Sequence, residues 1–246
     1  MSELLVNNNL KALLFRGRMM IDADGAPDAY QIDDPRNLSH EEDDNKQHLK
    51  YQTGLPVCPT SLIDARRAKA DPERYVNPHN IPYIVYCLKS RNTDCCKLHH
   101  HDEVRVLAGD IAVVATVEAN EEIKWYGAVV ADHNSETRGE GSMALARLFG
   151  VDANPRNGGS KELKFIYIIF PGSRLAPAWP VSESEIQRIA KEKFEALGGT
   201  EFLRQRLKRE PLPLAFLESD PESSEPIDRL ALADDGSTEG EASSPA

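Results

Sequence analysis

Short apolar runs separated by polar punctuation dominate this chain from Leu55 onward. LPVC, IPYIVYCL, VRVL, DIAVVATV, KWYGAVVA and LKFIYIIFPG follow one another, each bounded by Pro, Gly, Asn or Asp. Their brevity and their β-branched and aromatic content predict strands rather than helices. DIAVVATV and KWYGAVVA flank the polar EANEEI and predict a hairpin. Many short strands at close spacing predict a small barrel or a folded sheet. One segment interrupts them with helical spacing, Ser142 to Gly150, through Met143, Leu145, Ala146 and Phe149, and Gly150 fits a helix stop.

Beyond Trp179-Pro180 the periodicity changes. Ser182 and Glu185 have capping-box spacing, and Ile186, Ile189, Ala190, Phe194 and Leu197 recur at helical intervals. Gly198-Gly199 ends that helix, and Thr200 to Arg209 predicts a second, making a helical hairpin. Residues 1–20 read as a weak helix or strand with no assigned packing. Gly25-Ala26-Pro27-Asp28 marks a turn. The expected class is α+β, β-rich: a small barrel followed by a C-terminal helical hairpin. The expected divisions are an N-terminal segment 1–19, a β-rich catalytic domain 20–180, the hairpin 181–210 and an acidic disordered tail 211–246.

Composition narrows the function classes. The 246 residues, 40% hydrophobic, suffice for one sizeable core. No run of about eighteen apolar residues exists, which excludes a membrane-spanning helix. The start, MSELLVNNNLKALLFRGRMM, lacks the form of a secretory leader, so a cytoplasmic location or a non-signal export route is expected. Of the net charge of −11, the stretch 217–246 carries −8. The acidity therefore belongs to the tail, where a protein partner could attach, and not to a binding face. Without a basic stripe with interleaved aromatics, nucleic acid is not an expected ligand. The acidic run Glu41 to Asp44 reads as a solvated loop.

Metal and thiol chemistry find little support in the spacing. Cys58, Cys87, Cys95 and Cys96 are expected as reduced thiols. CCKLHHHD carries ligand types for zinc, but its cysteines are adjacent rather than two to four apart. Asp22, Asp24 and Asp28 resemble the start of a calcium loop but lack its closing Glu. No metal and no cofactor are expected.

The stretch Trp125–Gly150, WYGAVVADHNSETRGEGSMALARLFG, carries the candidate chemistry. An apolar strand ends in Asp132, and Glu140 follows eight residues later between Gly139 and Gly141. Glycoside hydrolysis needs two carboxyl groups a fixed distance apart. An extended link of that length would span about 26 Å, so a turn must fold Glu140 back, which flanking glycines favour. Desolvation at the end of Ala128-Val129-Val130-Ala131 predicts a raised pKa and an acid role for Asp132. Glu140, just before a helix, is the expected base. Ser142 reads as a helix cap, since GEGS lacks the G-x-S-x-G nucleophile pattern. His133 reads as a loop histidine. Trp125, Tyr126 and Trp179 are either sugar platforms or core.

IDADGAPDAY, LPVCPTSLID, ERYVNPHNIPYIVY, GDIAVVAT, YGAVVADHN, GEGSMALARLFG and FIYIIFPGS occur in this order over about residues 20–174. That succession resembles the fungal-type chitosanases of glycoside hydrolase family 75. The resemblance implies endo-hydrolysis of β-1,4-linked glucosamine polymers with inversion, and a double-psi barrel. It places the family's two essential acids on Asp132 and Glu140. Asp22 and Asp24 match the acidic IDADG segment, suited to the ammonium groups of glucosamine. Apart from the resemblance, the aromatic side chains of Trp125 and Tyr126 are the further candidate substrate contacts. The segment 35–52 departs from the aromatic, Gly-rich stretch expected there. Two rival readings remain: a peptidoglycan-cleaving enzyme on the same barrel, and a non-catalytic interaction module.

Overall fold

Among the described residues, seven strands form one mixed sheet, and six of them close into a barrel. The computed structural model describes residues 3–7, 10–29, 57–88, 104–118, 121–133, 139–209 and 212. The strands are β1 (Glu3–Asn7), β2 (Leu10–Asp22), β3 (Tyr83–Val85), β4 (Ile111–Val117), β5 (Ile123–Asp132), β6 (Glu140–Ser142) and β7 (Ser160–Phe170). Their order is β1-β2-β6-β3-β5-β4-β7, and a β2–β7 pairing closes the ring. β2–β6 and β3–β5 are parallel. β4 and β5 form the expected hairpin, pairing Ile111 with Val129 through to Val117 with Ile123.

Closure buries both faces of the strands, which is why their sequences run apolar without clean alternation. Leu14, Val113, Val129 and Ile168 share one apolar cluster with Ile186, Ala190 and Phe194. Phe15, Val114, Val130 and Tyr167 share the other with Leu145 and Ala146. Each fully buried side chain of this kind contributes about 1.5–3 kcal/mol by leaving water.

Three α-helices occur among the described residues: α1 (Met143–Leu148), α2 (Glu183–Leu197) and α3 (Gly199–Arg209). Ser182 caps α2 by accepting from the Glu185 amide at 3.2 Å, and Gly198, at φ 107°, closes it as expected. α2 lies against β5 at Gly127. There, Gln187 accepts from the Gly127 N–H at 2.8 Å and donates to its C=O at 2.9 Å. A Cβ at Gly127 would stand 2.6 Å from that of Ala190, so only glycine lets the helix approach this closely. Arg206 of α3 pairs with Glu3 of β1.

Two expectations need correction. The division at 19/20 falls inside β2, a barrel strand from Leu10 to Asp22. Its two buried faces hide the period-two signal that would have marked it in the sequence. Cys58 is a buried thiol outside any disulfide, as expected, but Cys87 is disulfide-bonded. Sequence spacing did not reveal this bond, because the fold and not the spacing decides which thiols meet. Residues 104–107 form no strand, nor do Val57 and Cys58, although Val57, Cys58 and Val106 are buried. CCKLHHHD, the acidic run 41–44, the segment 35–52 and the acidic tail from residue 213 onward also lie outside the described residues, whereas Leu212 is buried in the core.

Candidate active site

β5 ends on Asp132 and β6 begins on Glu140, with β3 between them. Val85 is the Cα partner of Asp132 on one side and of Glu140 on the other. Two strand spacings therefore separate the two backbones, about 10 Å. A register shift between Ile84 and Val85 brings Asp132, not Ala131, opposite Val85. Glu140 and Ser142 lie two apart on β6 and share a face, and Asp22 is the partner of Ser142.

Asp132 is 6% exposed at the tip of a strand whose preceding four residues are fully buried. Its Oδ1 accepts from the Ser61 hydroxyl at 2.7 Å, the Ser61 amide at 3.0 Å and the His133 amide at 2.7 Å. With Oδ1 occupied by three donors, the acid proton belongs on Oδ2. Desolvation, aided by the charge of Asp22, pushes Asp132 up to about 6 against these hydrogen bonds, which favour its ionised form. Ser61 itself is exposed, so the buried carboxyl lies directly beneath the surface there.

Asp22 and Asp24, 7% and 6% exposed, turn toward Asp132. Ligand oxygens of the three lie within 4.8 Å of one another. The Asp24 amide donates to Asp22 Oδ1 at 2.9 Å, which sets the turn after β2. The Tyr83 hydroxyl donates to the backbone carbonyl of Asp24 at 2.9 Å and fixes that turn against β3. Asp28 takes no part: its Oδ1 accepts from His79 Nε2 at 2.7 Å. Three carboxyl groups this close repel one another when all are ionised, which favours a shared proton or a bound cation among them.

Glu140 is half-buried. Gly139, at φ 79°, makes the turn before it, and a Cβ there would lie 2.3 Å from the Arg18 carbonyl oxygen. The buried Tyr167 hydroxyl donates to the same carbonyl at 2.7 Å, and burial together with the Glu140 charge holds it protonated. Ser142 caps α1 as expected. Its Oγ accepts from Leu145 N at 3.2 Å and Tyr83 N at 3.0 Å and donates to Ile81 O at 2.8 Å. The His133 ring also works locally, accepting at Nδ1 from the Leu88 amide at 2.9 Å.

Residues 19–200 match the fungal chitosanases of glycosyl hydrolase group 75. The chain belongs to this family. No curated protein matches it. The matched range extends through α2, beyond the motifs that first carried the resemblance, so this helix is part of the family's fold. As a group 75 chitosanase-family protein, the chain is a glycosidase with a polysaccharide substrate.

Within this glycosidase, Asp22, Asp24 and Asp132 come together, and Glu140 stands across Val85 from them. Trp125 and Tyr126 do not join them. They lie seven and six residues up β5, where Trp125 packs on Phe194 with ring centroids 5.1 Å apart and Tyr126 meets Phe149 edge-on at 5.0 Å. Sequence reasoning missed Ser61, Tyr83 and Asp110. The buried Asp110 carboxylate accepts from Arg174 N at 3.1 Å and Leu107 N at 2.8 Å, tying GDIAVVAT to the turn after FPGS. Both motifs were visible, but their meeting was not.

Proposed function

We propose that this chitosanase-family protein cleaves β-1,4-linked glucosamine polymers internally, with inversion at the anomeric carbon. Asp132 is the general acid, giving its Oδ2 proton to the glycosidic oxygen. Glu140 is the general base, taking a proton from the water that attacks the opposite face of the sugar. The single observation behind this reading is the placement of Asp132 and Glu140 on either side of Val85, with backbones about 10 Å apart. Side chains reaching toward each other from there fit carboxyl groups roughly 6.5–9.5 Å apart, the separation that leaves room for water. The two acids of a retaining enzyme stand closer, at about 5–5.5 Å. The raised proton affinity of Asp132 supports the acid role, since the group stays protonated in mildly acidic medium.

Proton NMR of freshly cleaved chito-oligosaccharide tests the stereochemistry. The α-anomer is expected to appear first, and early β-anomer would overturn the inverting course. Asp132→Asn and Glu140→Gln are each expected to lose about 10²–10⁴-fold in kcat. Azide should restore turnover to a Glu140→Ala protein only, because a small anion replaces a missing base and not a missing acid. Release of reducing ends from bacterial sacculi rather than soluble chitosan would move the substrate class to peptidoglycan.

A further inference from the structure

Three aspartates meet at the end of β2 and β5, but acid–base cleavage as described uses one of them. Asp22 and Asp24 are nearly as buried as Asp132, at 7%, 6% and 6% exposure. At that depth they offer little surface to the ammonium groups of a polymer. Their oxygens lie within 4.8 Å of those of Asp132, too close for three negative charges in a desolvated site. Two carboxyl groups bond to each other only when one of them carries a proton, and the Asp24 side chain is hydrogen-bonded to that of Asp132.

We propose that Asp22 and Asp24 are positioning residues with opposite effects on the acid: Asp22 keeps Asp132 protonated before cleavage, and Asp24 stabilises Asp132 once its proton has left. The inference rests on the acid role of Asp132. In the resting site the negative charge of Asp22 opposes ionisation of Asp132. As the glycosidic C–O bond breaks, the Asp132 proton moves from Oδ2 to the leaving oxygen and the bonding pair goes with that oxygen. The Asp24 O–H, keeping its own proton, donates to the new Asp132 carboxylate. The Ser61 and His133 donors strengthen toward the same charge. Glu140 takes the proton of the attacking water on the other side of Val85, so the two proton paths do not cross.

The groups facing Asp132 come from every element around it. Asp22 stands at the end of β2 and Asp24 in the following turn. Ser61 reaches in from the loop just before Ile63, which forms an isolated antiparallel bridge with Tyr75, and His133 continues β5 with its Nδ1 accepting from the Leu88 amide. Glu140 lies beyond Val85 on β6. In the Ser61 loop, Asp64 is paired with Arg66 at 2.8 Å and Arg67 at 3.6 Å.

The experiment is the pH dependence of kcat and KM on a soluble chito-oligosaccharide for the full chain, Asp22→Asn and Asp24→Ala. Asn keeps the Oδ1 acceptor for the Asp24 amide, and Ala keeps that amide, so the turn survives in both. Asp22→Asn is expected to move the alkaline limb of kcat to lower pH by about one unit, with KM within twofold. Asp24→Ala is expected to move that limb to higher pH and to lower the plateau of kcat by about tenfold, as loss of a hydrogen bond to a charged group does. Titration of the substrate amines is common to all three proteins and cancels in the comparison. Limbs that stay fixed, or that move the same way in both variants, overturn the proposal. A change in KM alone also overturns it, because it would make Asp22 a substrate ligand.

Should either variant fail to fold, carbon-13 NMR of aspartate carboxyls in the wild-type chain replaces it. The Asp132 resonance, identified by its loss in Asp132→Asn, is expected to titrate well above the ordinary carboxylate range, in steps shared with a second aspartate. Independent titration near the ordinary value of about 3.9 overturns the proposal. This readout does not depend on cleavage. Full activity of Asp132→Asn would defeat the catalytic assignment and this inference with it, whereas uncoupled titration would defeat only the role of Asp22 and Asp24.

Discussion

A buried acid with a high proton affinity costs the protein stability when it ionises. Asp132 passes from about 3.8 in the unfolded chain to about 6 in the fold, so the folded state binds the proton more tightly. Between those values the native protein holds a proton that the unfolded chain has lost. Stability therefore falls as pH rises through that window and stays low above it. At 1.36 kcal/mol per unit, the ionised group costs about 3 kcal/mol above pH 6. Asp132→Asn cannot ionise, and it is expected to be more stable than wild type by about 1–3 kcal/mol at pH 7, with no gain at pH 4. Thermal melts at both pH values check this; equal differences at both would show that the group titrates normally. Other residues at this scale follow simpler rules. Ser142 satisfies two amides and a carbonyl at once, so its hydroxyl is committed to the start of α1 and to β3. Asp110 performs a similar service for the turn after β7, with burial raising its proton affinity against several backbone donors.

At the scale of elements, the contact between α2 and β5 fixes the far end of the strand that carries Asp132. β3 pairs with β5 only from Val129 onward, so the Gly127 amide and carbonyl would go unmatched on that side without Gln187. Gln187→Ala is expected to cost about 1–3 kcal/mol, the penalty for stranding buried backbone groups. Gly127→Val drives a side chain into Ala190 and is expected to cost a similar or larger amount through overpacking. Chemical denaturation of both variants measures these losses. A loss below about 0.5 kcal/mol for both would mean that α2 is only loosely seated. The helices themselves were well marked in the sequence. Ser182 and Glu185, the apolar spacing to Leu197 and Gly198 specify α2 locally, and the structure begins it at Glu183 and ends it at Leu197. β3 was harder to bound: of IPYIVYCL, only Tyr83–Val85 is strand, because its limits are set by β5 and β6 and not by its own residues.

Across the whole molecule, a short mixed barrel is held shut by pairings between distant parts of the chain, β2 with β7 and β2 with β6. Cys87 adds a covalent tie two residues beyond Val85, which lies between the two catalytic candidates. A structural disulfide of this kind persists in an oxidising compartment and typically contributes about 2–4 kcal/mol. Reduction under native conditions is expected to lower the melting temperature and to reduce chitosan cleavage along with it. Unchanged melting and activity after verified reduction would show that the tie is dispensable.

The sequence by itself determined what nearest neighbours and local geometry enforce. That includes the β4–β5 hairpin, α1 and α2 with their caps, the Gly139 turn, and a desolvated aspartate at a strand tip. Ordered motifs also carried the family resemblance, because each is a local constraint on a turn or a strand end. Only the tertiary structure decided which distant residues meet. Residues 10–22 became a barrel strand because β6 and β7 flank them, Asp22 and Asp24 reached Asp132 because barrel closure joins the ends of β2 and β5, and Trp125 and Tyr126 went to the opposite end of β5. A linear chain encodes backbone preference and burial tendency residue by residue, whereas the field at one carboxyl depends on charges brought near it from more than a hundred residues away.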